Sequence, residues 1–205
     1  MGLAQSLARP GGNLTGVATL VPGGFQPKNL QLLRELLPTA RRVAVLTNPT
    51  NEVTRRLFPI ELPQAAAQLG FQIDLIEVRE GEDIPAAVAM AKKQGADALL
   101  VPGDTLFHSP PSRIPDLAAE ARLPALYLPR ALVDAGGLMS YSPDFGEMSR
   151  RGAHLVDRIL RGADPADLPI EQPTTYQLFI NLKAARALGL TIPPSLLARA
   201  DEVIE

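Results

Sequence analysis

Cysteine and tryptophan are both absent from this 205-residue chain. Without cysteine there are no disulfides, no thiolate nucleophile, no Cys-ligated zinc and no iron–sulfur cluster. Without tryptophan, and with only three Tyr and six Phe, there is no stacking platform for single-stranded nucleic acid. Histidine is limited to His108 and His154, too few for a His-rich metal site. No positive excess exists either. The 20 Lys and Arg stand against 22 Asp and Glu, a formal charge of -2, and the basic residues are scattered, so no nucleic-acid surface is expected. Apolar runs are strand-sized, as in Ala98-Leu99-Leu100-Val101, against roughly 20 residues for a membrane-spanning helix. The first residues lack an early basic region, and Pro10-Gly11-Gly12 interrupts them, so they do not read as a secretory signal. No P-loop, G-x-G-x-x-G, G-x-S-x-G or H-E-x-x-H pattern occurs.

What is present is a rhythm. Arg42–Thr47, Gln72–Val78, Ala98–Val101 and Ala125–Leu128 are short β-rich runs bounded by Pro, Gly or Asn. Their starts fall roughly 26–30 residues apart, the length of one strand, one helix and two loops. The intervals carry helical spacing. Leu30, Leu33 and Leu37 share a face, as do Ile84, Ala87, Val88 and Ala91, with Asp83 placed to cap and Gly95 to stop. Phe145, Met148, Gly152, Leu155, Val156, Ile159 and Leu160 predict a helix of roughly 17 residues, with Asp144 at its N-cap and Gly162 at its stop. Strand–helix alternation over about 40–142 implies an α/β fold with a parallel, Rossmann-like sheet. Asp164–Thr175 reads as an extended connector. Tyr176–Ile180 then reads as a strand, and Asn181 caps a short helix closed by Gly189.

In an open parallel sheet ligands collect at the carboxyl ends of the strands, which selects particular loops. Asn48, Thr50 and Asn51 follow the first strand and offer hydrogen bonds to a ligand or a cap to the next helix. Asp104 and Thr105 follow the third; the carboxylate suits an ammonium group, a sugar hydroxyl or a turn cap. Arg130 follows the fourth and either clamps a carboxylate or pairs with Asp134. Tyr141 ends a Gly-rich run, where it supplies a ring face, a hydroxyl or core packing. Asp104 and His108 stand four apart, but no third group completes a catalytic triad. No catalytic residue, metal or cofactor is expected.

Ser6-Leu7-Ala8-Arg9-Pro10-Gly11-Gly12-Asn13-Leu14-Thr15-Gly16-Val17 resembles the segment that opens the second lobe in one group of ABC-transporter substrate-binding proteins. Val43-Ala44-Val45-Leu46 with Asn48-Pro49, Ala96–Val101, and Ala135-Gly136-Gly137-Leu138-Met139-Ser140-Tyr141 fit the same pattern. So does the tail from Asp157-Arg158-Ile159-Leu160-Arg161-Gly162 through Ile180-Asn181-Leu182-Lys183 to Leu190. The resemblance spans essentially the whole chain. That group has a type I periplasmic-binding fold, and its members include tryptophan- and phenylalanine-binding proteins.

The resemblance implies two α/β lobes with a small solute, an amino acid or similar molecule, held between them without catalysis. It further implies an ABC permease as partner and a periplasmic location. Family members carry a signal and a first-lobe half before the Ser-Leu-Ala-Arg-Pro-Gly-Gly segment. The expected layout here is therefore a first-lobe or hinge remnant at 1–12, a second lobe at 13–142, a returning helix and connector at 143–173, and a C-terminal strand and helices at 174–205. The apolar face of the returning helix is then expected to lack a cover, so that it folds back or joins two chains in a homodimer. Alternatives are a ligand-sensing regulatory domain of the same fold, disfavoured by the missing helix-turn-helix, a non-functional truncated lobe, and an enzyme on a flavodoxin-like sheet, disfavoured by the missing phosphate loop.

Overall fold

The computed structural model describes residues 4–19 and 26–205. Its frame is a seven-stranded sheet in the order β2-β1-β3-β4-β5-β6-β7. Strands β1 (Arg42–Thr47), β2 (Gln72–Glu77), β3 (Ala98–Val101), β4 (Ala125–Tyr127) and β5 (Met139–Pro143) pair in parallel. Strands β6 (Tyr176–Asn181) and β7 (Glu202–Ile204) pair in parallel with each other. They run against the rest. Asn181, at the end of β6, donates its N–H to Leu138 just ahead of β5, and Asp144, just past β5, donates to Thr175 just ahead of β6. The sheet is thus mostly parallel, with a reversed pair at one end.

Period-two alternation decides which face each strand residue covers. In β1, Val43 and Val45 join one apolar cluster while Ala44 and Leu46 join the other. The first cluster receives Leu30, Leu33 and Leu36 from α1 (Gln26–Leu36) and Phe58, Leu62 and Ala66 from α2 (Glu52–Leu69), with Ala185 from α7 (Leu182–Leu188) and Leu196 from α8 (Pro194–Leu197). The second receives Ile84 and Val88 from α3 (Ile84–Lys93), Ile114 and Ala118 from α4 (Arg113–Glu120), and Leu132 and Val133 from α5 (Arg130–Asp134). Helices on both faces follow from right-handed crossovers. Each buried Leu, Ile or Phe adds about 1.5–3 kcal/mol.

Helix α2 carries two internal prolines, Pro59 and Pro63, both on its exposed side, while its buried stripe, Thr54, Phe58, Leu62 and Ala66, recurs every fourth residue. The predicted helix at 145 is α6 (Phe145–Leu160), with Asp144 accepting the Glu147 N–H at 2.9 Å and Gly162 at φ +97°. Asn181 caps α7 through the Ala184 N–H, and Gly189 closes it at φ +71°.

Several expectations are corrected. Asp83 does not cap α3; its carboxylate turns back to the N–H groups of Arg79 and Glu80. Strand β2 is an edge strand with only Ile76 buried, so it is not the doubly covered strand its apolar residues suggest. Strand β5 lies in the run read only as Gly-rich, and β7 is too short and polar to stand out.

Two compact units emerge, one from Met1–Pro22 and Pro143–Tyr176, the other from Gly23–Ser142 and Gln177–Glu205. In the first, Val17 bridges Glu171, Ile170 donates its N–H to Leu7, and Arg151 pairs with Glu147 and Glu171 at 3.1 and 3.0 Å. Met148 and Leu155 of α6 are buried, but Phe145, Val156 and Leu160 are 47%, 56% and 81% exposed. Among the described residues no helix is long and apolar enough to cross a membrane.

Candidate functional site

Strands β1 and β3 are direct neighbours, with Val43 beside Ala98 and Val45 beside Leu100. Their carboxyl ends therefore release two loops at one edge, 48–51 and 102–108. Asp104 caps the turn Thr105–Phe107 by accepting the Leu106 N–H at 3.0 Å. Asn51 caps α2 by accepting from Val53 and Thr54. These local roles fix both side chains before any ligand arrives.

The two loops then meet. Asn48 Nδ2 donates to Asp104 Oδ1 at 3.1 Å, and Asn51 Nδ2 donates to Asp104 Oδ2 at 2.8 Å. Asn48 Oδ1 in turn accepts the Thr50 N–H and hydroxyl at 2.9 and 2.7 Å. Neither amide can be turned round without setting oxygen against the carboxylate, so their orientation follows from charge. Asp104 is 5% exposed. Burial pushes its carboxyl up, but hydrogen bonds from Asn51, the Leu106 N–H and Asn48 outweigh this and hold it below the usual carboxylate range. At neutral pH it is a buried, paired anion. His108 ends the same turn. Burial lowers its basicity against the opposing pull of Asp104, and its Nε2 is buried without a partner.

Of the candidates read from sequence, Asn48, Thr50, Asn51 and Asp104 come together, with Thr105 exposed on the adjoining turn. Arg130 is engaged elsewhere. It pairs with Asp134 at 3.2 Å and Glu202 at 2.8 Å and lies 4.5 Å from the Phe179 ring centroid. Tyr141, on β5, packs against the first apolar cluster. Two buried polar residues were not singled out from sequence. Gln26 and Asn29 are 3% and 1% exposed, and their side-chain oxygens have no partner. Their signal is visible in the spacing, because positions 26 and 29 continue the buried stripe of Leu30 and Leu33.

A cavity of about 240 Å³ lies at the opposite sheet edge, between α4 and α7. Ala118, Ala119, Ala184 and Ala187 line it, and its Asn181 is already occupied in capping α7. It offers an apolar void with little orienting chemistry, so the polar edge at 48–51 and 104 is the better candidate. No group of three or more metal-ligating side chains occurs among the described residues.

Comparison with known proteins gives a consistent result. A family model described as ABC transporter substrate binding protein matches residues 1–204. The tyrosine-binding protein of Clostridioides difficile (strain R20291) is 24% identical over 189 residues, covering 92% of this chain and 53% of that protein. A conserved domain protein from Vibrio cholerae superposes with a TM-score of 0.89 at 26% identity, covering 98% of this chain and 66% of that one. An ABC domain from Streptococcus pneumonia, solved in complex with L-Trp, gives a TM-score of 0.87 at 28% identity, covering 98% and 68%. The chain thus spans about half the length of the curated relative and about two thirds of the solved ones.

Proposed function

The chain belongs to the ABC transporter substrate-binding protein family, and from that premise we propose that it holds a small amino acid-like solute at the edge formed by Asn48, Asn51 and Asp104. The solute is bound and released unchanged, for delivery to an ABC permease from the periplasmic side. One observation carries the placement: two loops 53–56 residues apart in sequence converge on a single buried carboxylate at the carboxyl edge of the sheet. The ligands in the names of two relatives, tyrosine and L-Trp, support an aromatic amino acid. In this reading residues 1–12 and 143–173 belong with a first lobe that would supply the facing wall, and Thr50 and Thr105 border the ligand. Arg130 and Tyr141 have structural partners already and act from outside the first contacts.

The test is residue-resolved. Backbone amide spectra of the 205-residue chain are followed during titration with L-Trp, L-Tyr, L-Phe and L-Leu. Saturable shifts centred on 48–51 and 104–108 are expected with at least one aromatic amino acid, without chemical change of the ligand. Shifts centred on the α4–α7 cavity, or none with any amino acid at millimolar concentration, would overturn the placement.

A further inference from the structure

The hydrogen-bonding capacity left over at Asp104 identifies a ligand group more narrowly than the family does. Each carboxamide has two N–H donors. Asn48 and Asn51 each spend one on Asp104, and both of their oxygens are taken, by Thr50 and by the start of α2. One N–H therefore remains on each amide. On Asp104, Oδ1 accepts from Asn48 and Leu106 whereas Oδ2 accepts from Asn51 alone. One acceptor position remains there. The unused set is two donors and one anionic acceptor, on three side chains joined by hydrogen bonds.

Three kinds of ligand group can be compared with that set. A carboxylate would accept from the two N–H groups but face the Asp104 charge a few ångströms behind them. An ammonium would pair with Asp104 Oδ2 but, having no acceptor, would leave the two N–H donors unpaired. A hydroxyl does both jobs, because its O–H donates to Oδ2 and its oxygen accepts from an amide. We propose that this edge is a hydroxyl-reading site, in which Asp104 both orients the Asn48 and Asn51 amides and accepts the ligand O–H, so that the protein selects hydroxyl-bearing solutes over their deoxy counterparts. The inference rests on the placement proposed above and narrows the ligand to a hydroxylated amino acid. Both phenolic and aliphatic hydroxyls carry the required chemistry.

The selection comes from the buried polar groups. A deoxy ligand covers them and leaves them unpaired, which a site built for a hydroxyl penalises heavily. The experiment is calorimetric titration with matched pairs, L-Tyr against L-Phe for a phenolic hydroxyl and L-Thr against L-Val for an aliphatic one. In the unmodified chain the hydroxylated member of one pair is expected to bind about tenfold tighter or more. The pair that shows the preference names the source. Asp104→Asn should collapse the ratio between the hydroxylated ligand and its deoxy partner towards one. Asn51→Ser, which keeps a capping oxygen for α2, should lower the hydroxylated ligand more than the deoxy one.

A purely structural role for Asp104 would lower both members of a pair together and leave their ratio intact, which overturns the proposal. Equal affinity within both pairs overturns it as well. Should Asp104→Asn fail to fold by far-UV circular dichroism, the ratios in the unmodified chain and in Asn51→Ser decide alone. D-ribose serves as a control on the premise. Binding of ribose at 48–51 and 104 with no amino acid bound would overturn the amino-acid reading while upholding the hydroxyl site. Amino-acid binding at 48–51 and 104 with equal strength within both pairs would do the reverse.

Discussion

Arg34 is the side chain on which most of one corner depends. From near the end of α1 it donates Nε to the Leu69 carbonyl at 2.9 Å and Nη1 to the Pro38 and Ala40 carbonyls at 2.8 Å each, with its guanidinium 3.9 Å from the Phe71 ring centroid. It satisfies the last carbonyl of α2 and two carbonyls of the loop from α1 into β1 at once. Arg34→Ala should lower stability by about 1–3 kcal/mol in urea denaturation, and Arg34→Lys should recover little, because an ammonium lacks the planar fork. Asp104 yields a pH prediction. Its folded carboxyl is held below the ordinary range by its hydrogen bonds despite burial. Its contribution to stability is therefore complete above the ordinary carboxylate range and disappears as the pH falls through the lowered value. His108 acts in the same direction at higher pH, since burial keeps its folded ring neutral while the unfolded chain gains a proton. Denaturation measured across acidic pH should show a steep loss in the unmodified chain. Asp104→Asn should flatten the most acidic part of that curve; an unchanged slope would refute the assignment.

Glycine separates the elements by what surrounds them. A Cβ at Gly137, in the turn into β5, would lie 2.6 Å from the Leu132 carbonyl oxygen and 2.6 Å from the Tyr127 ring. Backbone and a buried ring cannot both move aside, so Gly137→Ala should destabilise by about 1–3 kcal/mol. A Cβ at Gly152, inside α6, would meet nothing within 4 Å. Gly152→Ala should stabilise α6 by about 0.5–1 kcal/mol through helix propensity. Opposite signs in paired thermal melts are the expected outcome. The elements also show how far sequence could be followed. The runs at 42, 72, 98 and 125 declared themselves because breakers bound short, β-rich apolar stretches of strand length. Met139-Ser140-Tyr141-Ser142-Pro143 did not. Ser140 and Ser142 are buried at 0% and 2% exposure, so polarity hid a covered strand.

Protection from exchange should differ sharply across the whole molecule. In the larger unit every residue of β1 but Arg42, and all of β3, are buried. In the smaller unit α6 buries only Met148 and Leu155 and leaves Leu160 81% exposed. Local opening free energy follows buried apolar contact. Amides of α6 are accordingly expected to exchange much faster than those of β1 and β3 in native-state hydrogen exchange. Equal protection would mean that α6 draws its stability from somewhere other than its buried stripe.

Composition and spacing alone determined the α/β class, the positions of four parallel strands, and the helix at 145 with its Asp144 cap and Gly162 stop, whereas the family was legible only through the resemblance of its motifs. These depend on local rules of alternation, capping and backbone permissiveness that act over a few residues. They also selected the sheet edge at which the site is proposed, since the carboxyl ends of parallel strands lie together whatever the side chains. Tertiary structure decided what spacing cannot carry. The reversal of β6 depends on where the chain returns to the sheet, and no local pattern in Tyr176–Asn181 encodes it. Arg130 was free in sequence to meet Asp134 or a ligand, and the fold gave it Glu202 as well, 72 residues away. Asp104 could be read as an open carboxylate. Packing β3 beside β1 filled most of its hydrogen-bonding positions with Asn48 and Asn51, and only that contact defines which positions remain.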